Sequence, residues 1–545
     1  MSLKKKQSTL DKIIITTLGT YTWIIIFYLL LGITFWSIII STPFLMSKYI
    51  DNILTYNKNS YRSKYLLYMI ILFFIENIIS YTKTLILQKI KLKVSFEINY
   101  EILEVVKKFP YKYFVKNNIV ALNEKIYWDS INITGFFLDN ISDLILKIFT
   151  LIFTIIMIIK LDFSMALVAG SFIPVIIILF MYFKKRIYNT TITLKETQNH
   201  YMYHLLSQLQ NIKYIKIHSL FERFSQDLQK AYEELYLVSL RYFKCMISFT
   251  TSDLLLNRFS SLVIVAFCGY KVINKELSIG NFTAMLTYAS SLLEIFRYML
   301  NFGRFYEDYK VSYYRMKDVI NNDQELNGDL LLNNINYIDI KNLSWENDNC
   351  EVIFKNIDIT FKKGKIYCLK GRNGSGKTSF INILIGLIQN YSGQIYYNNI
   401  DIKKIDLYSL RYNCISIVEQ ENFLLFNDVI KNISIGLNEI DYEKLSLYCK
   451  EFNINELTST NHNVEKQSFQ NSINLSGGEK QKIRIVRQLL KKSDLLILDE
   501  PTSALDDNSK SRLVEILQSV KNDRIIMLIT HDEYLINNSD EILCF

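Results

Sequence analysis

Leu475 to Asp506 reads LSGGEKQKIRIVRQLLKKSDLLILDEPTSALD, and the middle of this stretch decides the fold. Leu495 to Leu498 is continuously apolar, as a strand covered on both faces of a parallel sheet must be, and it delivers Asp499 and Glu500 at its carboxyl end. Open α/β sheets bind their ligands at that end. Two adjacent carboxylates there suit two tasks: Asp499 to hold a magnesium ion, directly or through water, and Glu500 to orient and polarise an attacking water. Taken alone, the pair also fits a helix that starts after a core strand with acidic residues in its first turn.

A phosphate site lies upstream. Gly371-Arg372-Asn373-Gly374-Ser375-Gly376-Lys377-Thr378 fits GxxxxGK[ST], follows a strand expected over Lys365–Leu369 and precedes the helical pattern SFINILIGLI. Glycines at these spacings let successive backbone N–H groups curl round phosphate oxygens, Lys377 reaches the terminal phosphates, and the Thr378 hydroxyl ligates magnesium. A chance match in a chain of this length has a probability of roughly a few per cent. The strand before and the helix after lower it further.

LSGGEKQ beside such a loop, followed by the apolar strand and SALD, resembles the ATP-binding cassette (ABC) family, and the likeness extends from about Asn336 onward. The resemblance implies that Ser476, Gly477, Gly478 and Glu479 form a signature motif serving the ATP held by a partner's Lys377, so that two nucleotides are sandwiched between two cassettes. It assigns Gln420, in VEQENFLLF, to a loop that senses magnesium and touches the membrane domain, and His531, in LITHD, to a switch on the γ-phosphate. It gives Asp506 to a loop crossing the dimer interface and Trp345, in NLSW, to stacking on adenine. ATP and Mg2+ are the implied cofactors, with Glu500, His531 and Lys377 catalytic. Three departures stand out: Glu419 precedes Gln420 where such exporters commonly have proline, Gln470 replaces a usual glutamate before the signature, and the chain stops at Phe545 without the usual terminal helices. They bear on coupling to the membrane domain rather than on ATP chemistry.

Composition divides the 545 residues into two unlike parts behind an average of 50% hydrophobic residues. The net charge of +9 is modest, and the basic residues gather at the edges of apolar segments, which favours membrane topology over nucleic-acid binding. Seven cysteines are scattered singly, without CxxC pairs or metal spacing, so reduced thiols are expected. Only four prolines occur, as suits long uninterrupted helices.

Six apolar spans are expected, at 21–48, 65–88, 138–160, 163–184, 246–270 and 282–302, within a helical transmembrane domain of residues 1–320. The first is too long for a signal-peptide core and lacks a cleavage site. A polar linker at 321–335 leads to an α/β P-loop ATPase domain at 336–545. An even number of spans puts both termini on one side, the cytoplasmic side where ATP is, and Lys89, Lys91, Lys93, Lys184, Lys185 and Arg186 fall in the two inner loops. Lys184 to Lys244 contains neither glycine nor proline and has helical periodicity, so the spans continue as a cytoplasmic stalk. Exporters of the family carry short coupling helices in such turns; Tyr111–Asn117 and His218–Ser225 are the candidates.

Glu76, Arg258 and Glu294 are ionisable residues inside the spans, and Arg258 and Glu294 are expected to pair near a transport path, as glue or as substrate contacts. The whole resembles half of an exporter in a bacterial plasma membrane, working as a homodimer or with a related half-transporter. The cargo is amphipathic: a peptide by loose likeness of LDEPTSALD to peptide exporters, with a lipid or lipid-linked-sugar flippase and a multidrug pump as alternatives. A nucleotide-gated channel or sensor would share the spans and would conduct ions.

Overall fold

In a computed structural model of the chain, the described residues are 9–54, 59–117, 119–347, 351–372, 374–420, 424–426, 428–437, 439–455 and 475–545. They form two compact units, Met1–Lys107 with Val120–Asn322, and Lys108–Ile119 with Asp323–Phe545.

The first unit is helical. A short α1 (Thr9–Thr20) precedes α2 (Thr22–Leu54) and α3 (Asn59–Val106). After α4 (Tyr111–Lys116), which belongs to the second unit, α5 (Ile119–Gly135) passes through a π turn at Phe136–Ile141 into α6 (Ser142–Leu161). Then come α7 (Phe163–Gln210), a short α8 (Ile212–Ile217), α9 (Phe221–Ile273) and α10 (Ile279–Ile320). Among the described residues, five helical stretches are long and apolar enough to cross a membrane. Their outer faces carry exposed Phe74, Ile78, Leu167 and Leu255, an apolar surface that water would not tolerate and lipid would cover.

The sixth expected span lies in α10, which is less apolar than the other five for a reason its packing makes plain. It contacts α2, α6, α7 and α9 and buries Ala284, Tyr288, Leu292 and Ile295 along one stripe, so protein rather than lipid covers that face and polar groups can be satisfied there. Tyr288 donates to the Ile40 carbonyl at 2.7 Å. At the start of α10, Asp51 accepts from the Ser278 hydroxyl at 2.7 Å and the Gly280 amide at 2.8 Å.

The expected Arg258–Glu294 pair does not form. Glu294 accepts from Lys147 of α6 at 3.0 Å, and α9 and α10 are joined instead by Arg297 and Asp253 at 2.7 Å. Asp253 and Arg258 are five residues apart and so face different directions on one helix; spacing alone does not say which of them meets α10. Arg258 is exposed and Glu76 half-buried.

Of the two candidate coupling segments, the first forms α4 directly after Pro110, whose fixed φ suits a helix start. The second lies one turn earlier than expected. The short helix is Ile212–Ile217, while His218–Ser225 holds the turn and the beginning of α9, with Ser219 at φ +52° making the break. Neither glycine nor proline marks that turn, which is why the sequence hid it.

The second unit carries two sheets. An antiparallel sheet orders β2 (Val352–Lys362), β1 (Tyr337–Glu346), β4 (Ser392–Tyr397) and β5 (Ile400–Asp401). A parallel sheet orders β6 (Ile415–Val418), β7 (Leu495–Asp499), β8 (Ile525–Ile529), β3 (Ile366–Lys370) and β9 (Glu541–Cys544). Helix α11 (Lys377–Leu384) follows β3 and α12 (Leu407–Asn413) precedes β6, while α13 (Val429–Ser434) and α14 (Tyr442–Glu451) form a helical region ahead of α15 (Gly477–Leu490). α16 (Asp507–Val520) and α17 (Glu533–Asn537) complete the unit. All five residues of β7 and of β8 are buried, one face of the strands against α11 and the antiparallel sheet and the other against helices, as continuous apolar strands require.

The stretch expected to be a linker is fastened to this unit. Leu332 and Ile335 are buried in its core, Leu330 and Gly328 donate to Lys404 and Ile405, and Asp406 returns a bond to Leu330. Burial of Leu332 and Ile335, with these backbone bonds, outweighs the polar neighbours. The six cysteines among the described residues are unpaired.

Candidate functional site

β3 ends at Lys370 and the chain turns through Gly371–Gly376 into α11, so the loop sits at the carboxyl edge of the parallel sheet. Gly374 and Gly376 have φ of +83° and +91°, conformations a side chain resists. Gly376 is also crowded: a Cβ there would meet the Ile353 Cγ2 at 2.4 Å. Lys377 is buried and donates from Nζ to the carbonyls of Gly371 at 2.6 Å and Arg372 at 3.0 Å, while Arg372 itself is exposed. The Ser375 hydroxyl is buried without a partner. A loop that turns its ammonium back on its own carbonyls and leaves a buried hydroxyl unanswered fits a phosphate chain. Asn373 lies outside the described residues.

Gly376→Ala is therefore expected to weaken ATP binding at least tenfold, because a left-handed alanine costs roughly 1–2 kcal/mol before the clash is relieved. Titration with a fluorescent ATP analogue checks it; affinity within a factor of two of wild type would contradict the argument.

β7 lies beside β8, with Asp499 opposite Ile529. Asp499 is buried, and its carboxyl is pushed up to about 6 by burial and by the neighbouring Glu500, against the opposing pull of Lys377 and a hydrogen bond from Thr378. A buried carboxylate held that high, facing an ammonium and a hydroxyl, suits a divalent cation that would restore its charge. Glu500 sits at φ +45°, its amide donating to the Ile529 carbonyl at 2.8 Å. The Gln420 amide donates to its carboxylate at 3.2 Å. His531 follows β8 after Thr530 and is exposed.

The signature residues open α15. Ser476 caps the helix, accepting from the Glu479 amide at 3.3 Å, and the Glu479 carboxylate reaches back to the Ser476 amide at 2.7 Å and hydroxyl at 2.8 Å. This capping box leaves Ser476 and Gly477 exposed with the helix amides behind them. Gly478 packs so closely on the Ala504 carbonyl that a Cβ would sit 2.6 Å from it. Asp506 caps α16 and binds Lys482 at 2.7 Å, which with the Ser509 hydrogen bonds holds its carboxyl far below the usual range.

Trp345 is half-buried on β1 opposite Phe354, ring centres 6.1 Å apart, with its indole N–H buried and unpartnered. Phe354 in turn lies within reach of Gly376, so the β1–β2 hairpin borders the phosphate loop.

Sequence reasoning passed over Gln481, although it closes the quoted LSGGEKQ motif. Its amide donates to the carbonyls of Glu500 at 3.0 Å and Pro501 at 2.6 Å, and its carbonyl accepts from the Ala504 amide at 3.0 Å. One buried side chain thus fixes α15 to the turn after β7. Arg484, one helical turn on, donates to the Glu419 carbonyl at 2.5 Å. A buried Gln and Arg at helical spacing in an otherwise apolar stripe were the available signal.

Comparison with known proteins bears on this geometry. The profile described as ABC transporter matches residues 354–503, and that described as ABC transporter transmembrane region matches residues 23–296. The chain is 25% identical over 515 residues to an ATP-dependent lipid A-core flippase of Syntrophus aciditrophicus (strain SB), covering 92% of this chain and 84% of that one. It is 26% identical over 407 residues to the multidrug resistance-like ATP-binding protein MdlA of Buchnera aphidicola subsp. Baizongia pistaciae (strain Bp), covering 71% and 68%. The fold matches the structure of a bacterial Atm1-family ABC exporter with ATP bound at a TM-score of 0.81 and 18% identity, over 97% of this chain and 94% of that one.

Proposed function

This chain belongs to the ABC transporter family, and from that membership we propose that it is half of an exporter whose two ATP sites are each completed by the other copy. ATP hydrolysis coupled to transport is the family activity, and the chain spans the membrane. The observation that carries the two-copy reading is the signature motif: Ser476 closes its hydrogen bonds on its own Glu479, yet Ser476 and Gly477 face outward, so they are free for a nucleotide on another chain.

In this reading Gly371, Arg372, Asn373, Gly374, Ser375 and Gly376 cradle the phosphates, and Lys377 exchanges its loop carbonyls for phosphate oxygens. Trp345 borders the adenine side. A magnesium ion, which Thr378, Asp499 and Gln420 are suited to hold, neutralises phosphate charge when bound. Glu500 takes the proton of the attacking water with Gln420 fixing its carboxylate, and His531 contacts the terminal phosphate. Asp506 stiffens the turn that meets the partner. The partner is a second copy, since one chain holds every part. ATP favours the closed pair, and hydrolysis releases it.

The cargo we propose is amphipathic and lipid-like, exported across a bacterial cell membrane with both termini cytoplasmic. Similarity over 92% of the chain to a protein named as a lipid flippase supports this, and neither relative described above is named as a peptide exporter. The pairs Lys147–Glu294 and Asp253–Arg297 hold the bundle; of the three span charges singled out in the sequence, Glu76 and Arg258 are the ones proposed for a transport path.

Two arms test the proposal. Lys377→Ala and Ser476→Arg copies are each inactive; reconstituted together, they restore partial single-turnover hydrolysis, because a mixed pair keeps one intact composite site. No recovery would sink the two-copy site. In liposomes, lipids and amphipathic drugs are expected to stimulate wild-type turnover more than peptides do, and the reverse would overturn the cargo reading.

A further inference from the structure

Helices α7 and α9 run antiparallel, and their register is pinned at several places. Phe172 meets Phe259, Phe183 meets Phe249 and Tyr201 meets Tyr232, with ring centres at 6.4, 5.6 and 6.2 Å. That register sets Arg186 opposite Cys245 and Thr190 opposite Arg241. On α7, positions 183, 186 and 190 share one face; on α9, positions 241, 244, 245 and 248 share the face that meets it. Between them lies an open groove of about 470 Å³ lined by Phe183, Arg186, Arg241, Lys244 and Ser248.

Three cations converge there and, among the described residues, no carboxylate pairs with any of them. Arg186 is held by Tyr182, its guanidinium 5.2 Å from the ring centre and 3.3 Å from the hydroxyl it donates to. Arg186, Arg241 and Lys244 are all exposed. Three like charges lining one groove make its local potential positive and favour an anion there.

The sequence says where the groove lies. The apolar run of α7 ends at Phe183, with Lys184, Lys185 and Arg186 as its first charges, and the apolar run of α9 begins at Met246, just after Arg241 and Lys244. The groove therefore sits at the edge of the hydrocarbon layer, where Ile178, Met181 and Ile247 beside it are exposed and apolar.

We propose that this groove binds the headgroup of an anionic phospholipid, its phosphate among Arg186, Arg241 and Lys244 and its acyl chains along the exposed apolar faces of α7 and α9. The charge selects the headgroup, and the adjoining apolar surface selects a lipid over a free anion. The site is independent of which cargo the transporter moves.

The test uses the full-length protein in phosphatidylcholine nanodiscs with and without phosphatidylglycerol. Native mass spectrometry is expected to find phosphatidylglycerol retained on the wild type, and retention to fall on the order of a hundredfold in an Arg186→Gln/Arg241→Gln/Lys244→Gln variant, since each basic side chain contributes about fivefold. Maleimide labelling of Cys245, normalised to the exposed Cys544, gives a second readout that needs no variant. Phosphatidylglycerol should slow it and inorganic phosphate should not. Slowing by phosphate alone would identify a free-anion site and overturn the proposal, as would equal labelling in both lipids or equal retention by the variant.

Discussion

Glu500→Gln lowers ATP turnover by about 10²–10⁴-fold while ATP still binds. The substitution keeps what holds the residue in place: its amide on Ile529 and its carbonyl on Gln481, both backbone contacts. Size is preserved, and the left-handed φ of +45° is no worse for glutamine than for glutamate. What is lost is an anionic oxygen able to take a proton. Turnover measured beside ATP-analogue binding separates these effects. A variant that hydrolyses within tenfold of wild type would remove Glu500 from the chemistry.

Asp499→Asn gives two opposed effects. Turnover falls on the order of a hundredfold or more through loss of the carboxylate proposed to hold magnesium, yet the nucleotide-free second unit becomes more stable at neutral pH. The sign follows from the raised pKa. Folded Asp499 holds its proton up to about pH 6, above the range of an unfolded carboxylate, so it favours the fold at low pH and that contribution is lost as the pH rises through 6. At pH 7.5 the buried charge costs roughly 1–3 kcal/mol, which asparagine does not incur. Hydrogen exchange of β7 and β8 amides should show a higher opening free energy in the variant at pH 7.5 and a shrinking difference as the pH falls toward 4. A variant less stable at neutral pH would contradict this account of Asp499.

The site was more legible in the sequence than the membrane bundle. The phosphate loop and the Ser476–Glu479 box depend on contacts a few residues apart, so spacing encodes them, and β7, though its partners are distant in the chain, shows itself by an unbroken apolar run. The α4 helix announced itself through Pro110. By contrast, the partners of Glu294 and Arg297 depend on the rotation of α6 and α9 about their axes, which a uniformly apolar span does not record. The turn at Ser219 uses neither glycine nor proline. The Asn-rich stretch before β1 reads as loose by composition, although Leu332 and Ile335 bury themselves in the core; a few apolar side chains decided its fate.

In the proposed pair of copies, Gln481 would link the two nucleotides. In the proposed assembly the helix it belongs to serves one nucleotide through Ser476, while the carbonyls it grips belong to the turn bearing Glu500, which serves the other. A shift of Glu500 when its own phosphate departs is handed through a single amide to the far site. In that assembly the two hydrolysis events would be coupled through the side chain that ties Ser476's helix to the turn of Glu500.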